Sequence, residues 1–201
     1  MKKPLALLLS ALLLWLPSFS LADTIVSLDP LGLKMNISAD WLCILPADHT
    51  ATPATLVSVY GQTQVDSWIT QYQKTLPTDG TTSDVAVVVA NDSAGNFTQI
   101  VIGSLDYTAT FPGIDLTLLS KENQTALVQS MGFGELITVN GTVFIQALEN
   151  SEQDYAQSVY STFYKGVLIY FSFSNGSATL AKTLPELAEK VLTGVQFEHG
   201  V

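Results

Sequence analysis

Alternation of apolar and polar residues predicts that this fold begins with β-strands. Over Leu33–Ile37 every second residue is apolar, which is typical of a strand with one buried face. The same reasoning predicts strands over Thr24–Leu28 and Trp41–Leu45, and the polar segment Pro46–Pro53 is predicted to be a loop. We expect these three strands to lie in one sheet.

Three later segments repeat their apolar residues at helical spacing, so that each forms one apolar stripe. Thr63 and Asp66 stand at the positions of a capping box before the first of these helices, and Ser120 and Thr183 are the predicted N-caps of the second and third. The helices are predicted over Gln64–Leu76, Ser120–Met131 and Leu184–Thr193.

The rest of the pattern predicts an antiparallel sheet. Asn140-Gly141 and Lys165-Gly166 are tight-turn dipeptides between strand-like runs, which indicates two hairpins. Further strands are predicted over Ser83–Ala90, Phe97–Leu105, Glu135–Val139, Thr142–Leu148, Tyr155–Tyr164, Val167–Ser174 and Val195–Phe197. Because Ser83–Ala90 is apolar on both faces, helices must cover both sides of the sheet. The predicted fold class is therefore α+β, a mostly antiparallel sheet sandwiched between helices (α/β/α) in a single domain, with an all-β barrel as the alternative.

The first 22 residues have the pattern of a secretory signal peptide. Lys2 and Lys3 precede an apolar run over Leu5–Leu16, and Ser20–Ala22 has small residues at the cleavage-site positions. The run is too short to span a bilayer as a helix. We therefore expect a cleaved leader (1–22), one domain over 23–201, and a secreted product, extracellular or periplasmic; an uncleaved N-terminal anchor is the alternative.

Charge excludes some partners. The chain has 18 Asp and Glu residues against 8 basic residues, for a net charge of −10, and every basic residue is lysine. Arginine supplies the planar forks that bind phosphates and base edges, and a negative protein is repelled by polyanions. We therefore expect no nucleic-acid partner and, after cleavage of the leader, no attachment to an anionic membrane surface.

Two segments resemble the PsbP-like α/β/α sandwich family. Gly32–Trp41 (GLKMNISADW) is similar to the family's opening pattern, with Ser38 where a proline is usual. Ile169–Phe173 followed by Leu187–Phe197 resembles its C-terminal strand, helix and closing strand. The resemblance implies this fold, secreted bacterial relatives, and a binding or assembly role without a shared catalytic set. It assigns Trp41 a structural role.

Candidate catalytic groups are few. Cys43 is the single cysteine and lies in an apolar run, where a buried thiol is expected, although pairing with His49 would make a nucleophilic dyad. His199 is close to the C-terminus, and the two histidines have no zinc-site spacing. No catalytic, cofactor-binding or metal-binding residue is therefore assigned, and no cofactor is expected.

Three weaker patterns remain open. Glu149–Asp154 contains three carboxylates that favour calcium over other metals, but it lacks the EF-hand register and glycine, and a solvated turn between strands is the preferred interpretation. Asparagines in N-x-S/T triplets are glycan acceptors in a eukaryotic secretory pathway; they are Asn36, Asn91, Asn96, Asn123, Asn140 and Asn175. Aromatic residues on the last two long strands are expected in the core or on a binding face; they are Tyr155, Tyr160, Phe163, Tyr164, Tyr170, Phe171 and Phe173.

Together these patterns predict a secreted, non-enzymatic binding or accessory protein with a protein or small-ligand partner. The alternative is a small secreted hydrolase that uses carboxylates, which requires two acids facing one cleft. A third hypothesis is a calcium-dependent surface protein that binds the ion at the Glu149–Asp154 loop.

Overall fold

The computed structural model describes residues 23–76, 84–91, 97–132, 134–152, 155–176 and 183–198. The predicted leader, 1–22, lies outside this part of the chain. The helices are α1 (Ala54–Tyr60), α2 (Gln62–Thr75), α3 (Lys121–Met131) and α4 (Leu184–Thr193). The strands are β1 (Thr24–Leu28), β2 (Leu33–Ile37), β3 (Leu42–Ile44), β4 (Asp84–Asn91), β5 (Phe97–Asp106), β6 (Glu135–Val139), β7 (Thr142–Glu152), β8 (Tyr155–Tyr164), β9 (Val167–Asn175) and β10 (Val195–Phe197).

The strands form two antiparallel sheets. The large sheet has seven strands in the order β3-β4-β5-β9-β8-β7-β6, and the small sheet has three in the order β1-β2-β10. The fold is therefore α+β and mostly antiparallel, as the sequence predicts. The expectation that β1, β2 and β3 share one sheet is wrong, because β2 pairs instead with β10 near the far end of the chain.

The small sheet and α4 together cover one face of the large sheet. Leu33, Met35 and Ile37 point from β2 into this core, and Ala188 and Val191 point into it from α4. At its centre the rings of Phe144 and Phe171 meet edge to face, with centroids 6.1 Å apart. This face is thus closed by a helix and a second sheet, where the sequence predicted helices.

The opposite face carries two separate apolar clusters. Over β3 and β4, the helices α1 and α2 contribute Leu56, Val65 and Ile69. Over the other half, α3 and a short 3-10 turn at Leu116–Leu118 pack on β7, β8 and β9. Buried Gln124 holds that turn, because its side-chain amide donates to the carbonyls of Leu116 and Leu119 at 3.0 and 3.1 Å.

Helix starts differ from the prediction in two places. Helix α2 begins at Gln62 after Gly61, so the expected capping box at Thr63 and Asp66 is wrong; Asp66 instead accepts a hydrogen bond from the Gln62 side chain. Thr183 has a helical backbone rather than the extended backbone of a capping residue. Ser120 is confirmed as an N-cap, with its hydroxyl accepting from the Asn123 amide at 3.3 Å.

Both predicted hairpin turns are confirmed, and their backbones explain their residues. Asn140 and Gly141 have φ angles of 47° and 83°, and Lys165 and Gly166 have 52° and 86°. Two consecutive positive φ angles define a type I′ turn, whose twist matches that of paired strands. The first turn joins β6 to β7 and fixes which backbone groups of β6 face outward.

Candidate binding site at the β6 edge

Cys43 and His49 do not form a dyad. Ile44 and His49 form an isolated antiparallel bridge, so their side chains share one face, and neighbouring Cys43 points to the other. The Cys43 thiol is fully buried in the core beneath the small sheet, and burial raises its pKa to about 12. His49 is exposed, with its Nδ1 2.7 Å from the Thr50 carbonyl. The thiol is therefore a core group without an adjacent base.

The other displaced pKa values have local causes. Hydrogen bonds from Thr108 lower the pKa of Asp106, and the Glu122 pKa is lowered by its own backbone amide and by Ser120. The Lys34 pKa is raised by its hydrogen bond to Glu198. Burial raises the pKa of Tyr72, whose hydroxyl donates to Gln99 at 2.9 Å. These groups lie apart and do not converge on one cavity.

The open metal and glycan hypotheses have different outcomes. Residues 149–152 continue β7 as paired strand, and Asp154 lies outside the described residues, so the calcium loop stays a prediction. Within the described ranges no three His, Cys, Asp or Glu side chains gather around a possible metal position.

Asn175 is 5% exposed and donates to Thr98 inside the sheet, which makes it unsuitable as a glycan acceptor in the folded chain. Asn36, Asn123 and Asn140 are exposed, and the side chains of Asn91 and Asn96 lie outside the described part.

The aromatic residues of β8 and β9 mainly form core. Tyr170 is half-buried, and its hydroxyl donates to Asp84. The Tyr155 side chain lies outside the described residues. Five of the aromatics predicted for a core or a binding face are at most 5% exposed: Tyr160, Phe163, Tyr164, Phe171 and Phe173. The described aromatics therefore supply packing, and the predicted binding face is not found among them. Trp41 is also buried, with the Lys190 ammonium 5.1 Å from its ring centroid.

Strand β6 ends the large sheet with an unpaired backbone edge. In a two-residue hairpin the flanking residues, Val139 and Thr142, exchange backbone hydrogen bonds, and the bonded pairs then alternate. Ile137 bonds inward to β7, whereas the amides and carbonyls of Leu136 and Thr138 point outward. Among the described residues, no strand pairs with this outer side. The edge is a template for one more strand.

A groove of about 310 Å³ lies beside this edge, between β6 and α4. Ile137 and Val139 form its wall at the edge, and both are half-buried on the face that α4 covers. Gln146 and Tyr160 of β7 and β8 also line the groove. From α4 come Pro185, Glu189 and Leu192.

A hydrogen bond joins the two walls at one end of the groove. The side-chain amide of Asn140, next to Val139 in the turn, donates to the Thr193 carbonyl at 3.1 Å. Thr193 is the last residue of α4 and follows Leu192, which lines the groove. The hairpin tip is thus fixed to the end of the helix, and the groove extends from there along β6.

Carboxylates border the groove. Glu189 lines it, Glu186 lies three residues earlier on the same side of α4, and both are exposed. Glu135 shares the groove face of β6 with Ile137, because strand side chains alternate. The nearest lysine on the helix, Lys190, lies instead over Trp41. The groove therefore combines an apolar wall with negative charge.

Sequence reasoning did not find this site. The Asn140-Gly141 signal identified the hairpin, but the alternation of apolar residues gives no information about which strand lies outermost. The groove also depends on α4, which is more than 40 residues away from β6 along the chain. Nothing in the sequence of either element indicates that the other is its neighbour.

Comparison with solved structures finds a likeness that extends over most of the chain. The solution structure of cyanobacterial PsbP (CyanoP) from Synechocystis sp. PCC 6803 is similar to this chain, with 12% sequence identity and a TM-score of 0.42. The match covers 90% of this chain and 96% of that chain. No family model matches the chain, and no curated protein matches it. The PsbP-like family that the sequence resembles is also the family of this solved structure.

Across the described residues, no helix combines the length and the apolar character that crossing a bilayer requires.

Proposed function

We propose that this chain is an exported, non-enzymatic binding or accessory protein that holds a partner protein at the β6 edge. The observation that carries the proposal is the outward-facing backbone of Leu136 and Thr138 beside the groove under α4. Strand addition to such an edge is a recurrent way of binding extended polypeptides, because the backbone supplies affinity and the adjacent groove supplies selectivity.

The carboxylate hydrolase has no comparable support. Glu189 is the one carboxylate that lines the groove beside β6, since Glu186 and Glu135 lie outside its lining, and Asp23 is the one that lines the depression beside Trp41. The cavity along α2 contains Asp66. Hydrolysis by an acid pair needs two carboxyl groups facing one bond, and none of these three places supplies them.

Site-specific photo-crosslinking tests where the partner binds. A photoreactive phenylalanine replaces Thr138 on β6 or, as a matched control, Thr70 on the exposed side of α2. In the native host, position 138 is expected to give a discrete adduct and position 70 none. The adduct's partner is then purified, and we expect saturable 1:1 binding to the unmodified chain. Adducts at position 70 with none at position 138 would contradict the proposal.

Enzymatic activity is tested on the full chain with ester, glycoside and peptide substrates. We expect no turnover above that of a heat-denatured sample. Turnover that Glu189→Gln abolishes would overturn the non-enzymatic assignment.

Export is tested separately by joining residues 1–22 to a phosphatase that is active only outside the cytoplasm. An inactive fusion would contradict the proposed export.

A further inference from the structure

We infer that the β6 edge binds an extended polypeptide segment in which lysine or arginine alternates with small apolar residues. This inference rests on the proposed function and specifies the chemistry of the partner. It follows from three properties of the site: its strand edge, the apolar wall beside that edge, and the carboxylates beyond the wall.

The strand edge defines an extended partner. Leu136 and Thr138 present outward amides and carbonyls in strand geometry, so they bond to a backbone that is itself extended. The five residues of β6 allow contact over about 17 Å. In the added strand, every second side chain projects toward the α4 side. The others project toward α3, where half-buried Leu136 and Met131 offer apolar surface that small apolar residues can cover.

The groove wall and Glu189 select a long cationic side chain. A residue projecting toward α4 from the added strand must cross Ile137 or Val139 before it reaches the groove. Lysine and arginine cover apolar surface with their methylene stems and keep the charge at the tip. Glu189 lies across the groove to accept that charge, and Glu186 and Glu135 add negative potential beside it.

The same charges disfavour a second copy of this chain. Pairing two β6 edges would bring the Glu135 and Glu189 groups of both copies together, and each chain has a net charge of −10. Like charges placed opposite each other oppose association. A cationic segment of a different protein has the complementary charge.

The test uses a nine-residue peptide of alternating lysine and valine, capped at both ends, with the full chain. We expect saturable binding, together with slowed hydrogen exchange of the Leu136 and Thr138 amides. A lysine block followed by a valine block has a similar composition and charge but no alternation, and alternating glutamate and valine reverses the charge. Both are expected to bind at least tenfold more weakly. A peptide with alternate backbone amides methylated tests strand pairing without altering the protein.

Protein variants locate the contact. Thr138→Pro removes an outward amide and no β6–β7 hydrogen bond, so it is tolerated at an edge and is expected to weaken binding at least tenfold. Glu189→Gln is expected to weaken it about threefold to tenfold and to reduce its salt dependence. Asp66→Asn on α2, on the opposite face, is the matched control and should leave binding unchanged.

The outcomes separate this inference from the proposed function. Equal binding of the alternating and block peptides, or unchanged binding to Thr138→Pro, would overturn the alternating cationic partner. Crosslinks at position 138 in the same host would then leave the proposed function standing. Absence of both crosslinks and peptide binding would overturn both. Self-association that Thr138→Pro abolishes would show that a second copy occupies the edge and would also overturn the inference.

Discussion

The two ends of the large sheet differ in how their edges are finished. At β3 the chain turns back on itself: the Cys43 amide donates to the Thr50 hydroxyl at 2.9 Å, and the Thr50 amide donates to the Cys43 carbonyl at 2.9 Å. At β6 no described residue supplies such partners. One well-placed loop residue, Thr50, is therefore enough to satisfy the outer backbone groups of β3. The β6 edge lacks such a residue among the described ones, so its backbone groups are available to a partner.

The open edge is still partly protected against unwanted pairing. It is only five residues long, and it begins with charged Glu135. Short strands and charges are common defences of exposed edges. The edge has no proline or lysine, so cationic segments are not repelled. Its protection is therefore selective by charge.

The largest expected effect comes from disturbing the entry to β6. Gly134 has a φ of 93°, and a Cβ there would clash with Cγ2 of Ile145 and lie 3.0 Å from the Gln146 carbonyl oxygen. Gly134→Ala is expected to destabilise the fold by about 2–4 kcal/mol, from backbone strain and overpacking. Denaturant unfolding measures this change.

Gly132→Ala is the matched control for that substitution. Gly132 has a similar φ of 75°, but a Cβ there meets nothing within 4 Å. The free energy of unfolding of Gly132→Ala should fall only by the cost of placing alanine in this backbone conformation, about 1 kcal/mol. Equal losses of stability in Gly134→Ala and Gly132→Ala would show that Ile145 and Gln146 leave room for a Cβ at position 134.

A smaller effect is expected from opening the closed edge. Thr50→Val keeps the shape of the side chain but removes the acceptor of the Cys43 amide, and an unsatisfied buried donor costs about 1–3 kcal/mol. Thr138→Val makes the same change on exposed β6 and should stay within about 0.5 kcal/mol of wild type. Thermal unfolding compares the two, and equal shifts would contradict the distinction between the edges.

The smallest effect is a pH dependence at the closed edge. Burial raises the pKa of Cys43 from 9.0 to about 12, so the folded state holds the thiol proton more tightly than the unfolded state. This contribution to stability is complete below pH 9 and is lost as the pH rises from 9 toward 12. Between pH 8 and 10, the free energy of unfolding of wild type should fall by about 1 kcal/mol more than that of Cys43→Ala. Parallel pH profiles would show that the thiol is not desolvated.

The sequence predicts which helices and strands form better than it predicts which of them lie next to each other. Strand alternation over Leu33–Ile37 and the turn at Asn140-Gly141 gave correct local structure because both depend on adjacent residues. Helix α1 was not predicted, since only Leu56 is buried and β-branched Thr55, Val57 and Val59 do not form a helical stripe.

Long-range pairing explains what the sequence could not predict. The β2–β10 pairing joins residues about 160 positions apart, and the period of a strand does not identify its partner. The groove requires β6 and α4 to meet, and the closure of β3 requires a hydroxyl at Thr50 to reach Cys43. Each depends on tertiary contacts that no local pattern encodes.

The outer hairpin is attached to the sheet unevenly. The β7–β8 ladder begins at Ile145 and Ser161, and beyond it the Val143 amide donates to the Thr117 hydroxyl at 3.1 Å, while its carbonyl accepts from the Thr162 hydroxyl at 2.8 Å. Two threonine side chains thus replace a stretch of continuous ladder. The position of the hairpin tip consequently depends on three side-chain hydrogen bonds, which involve Thr117, Thr162 and Asn140, so the place of the open edge relative to α4 is set by side chains and not by a backbone ladder.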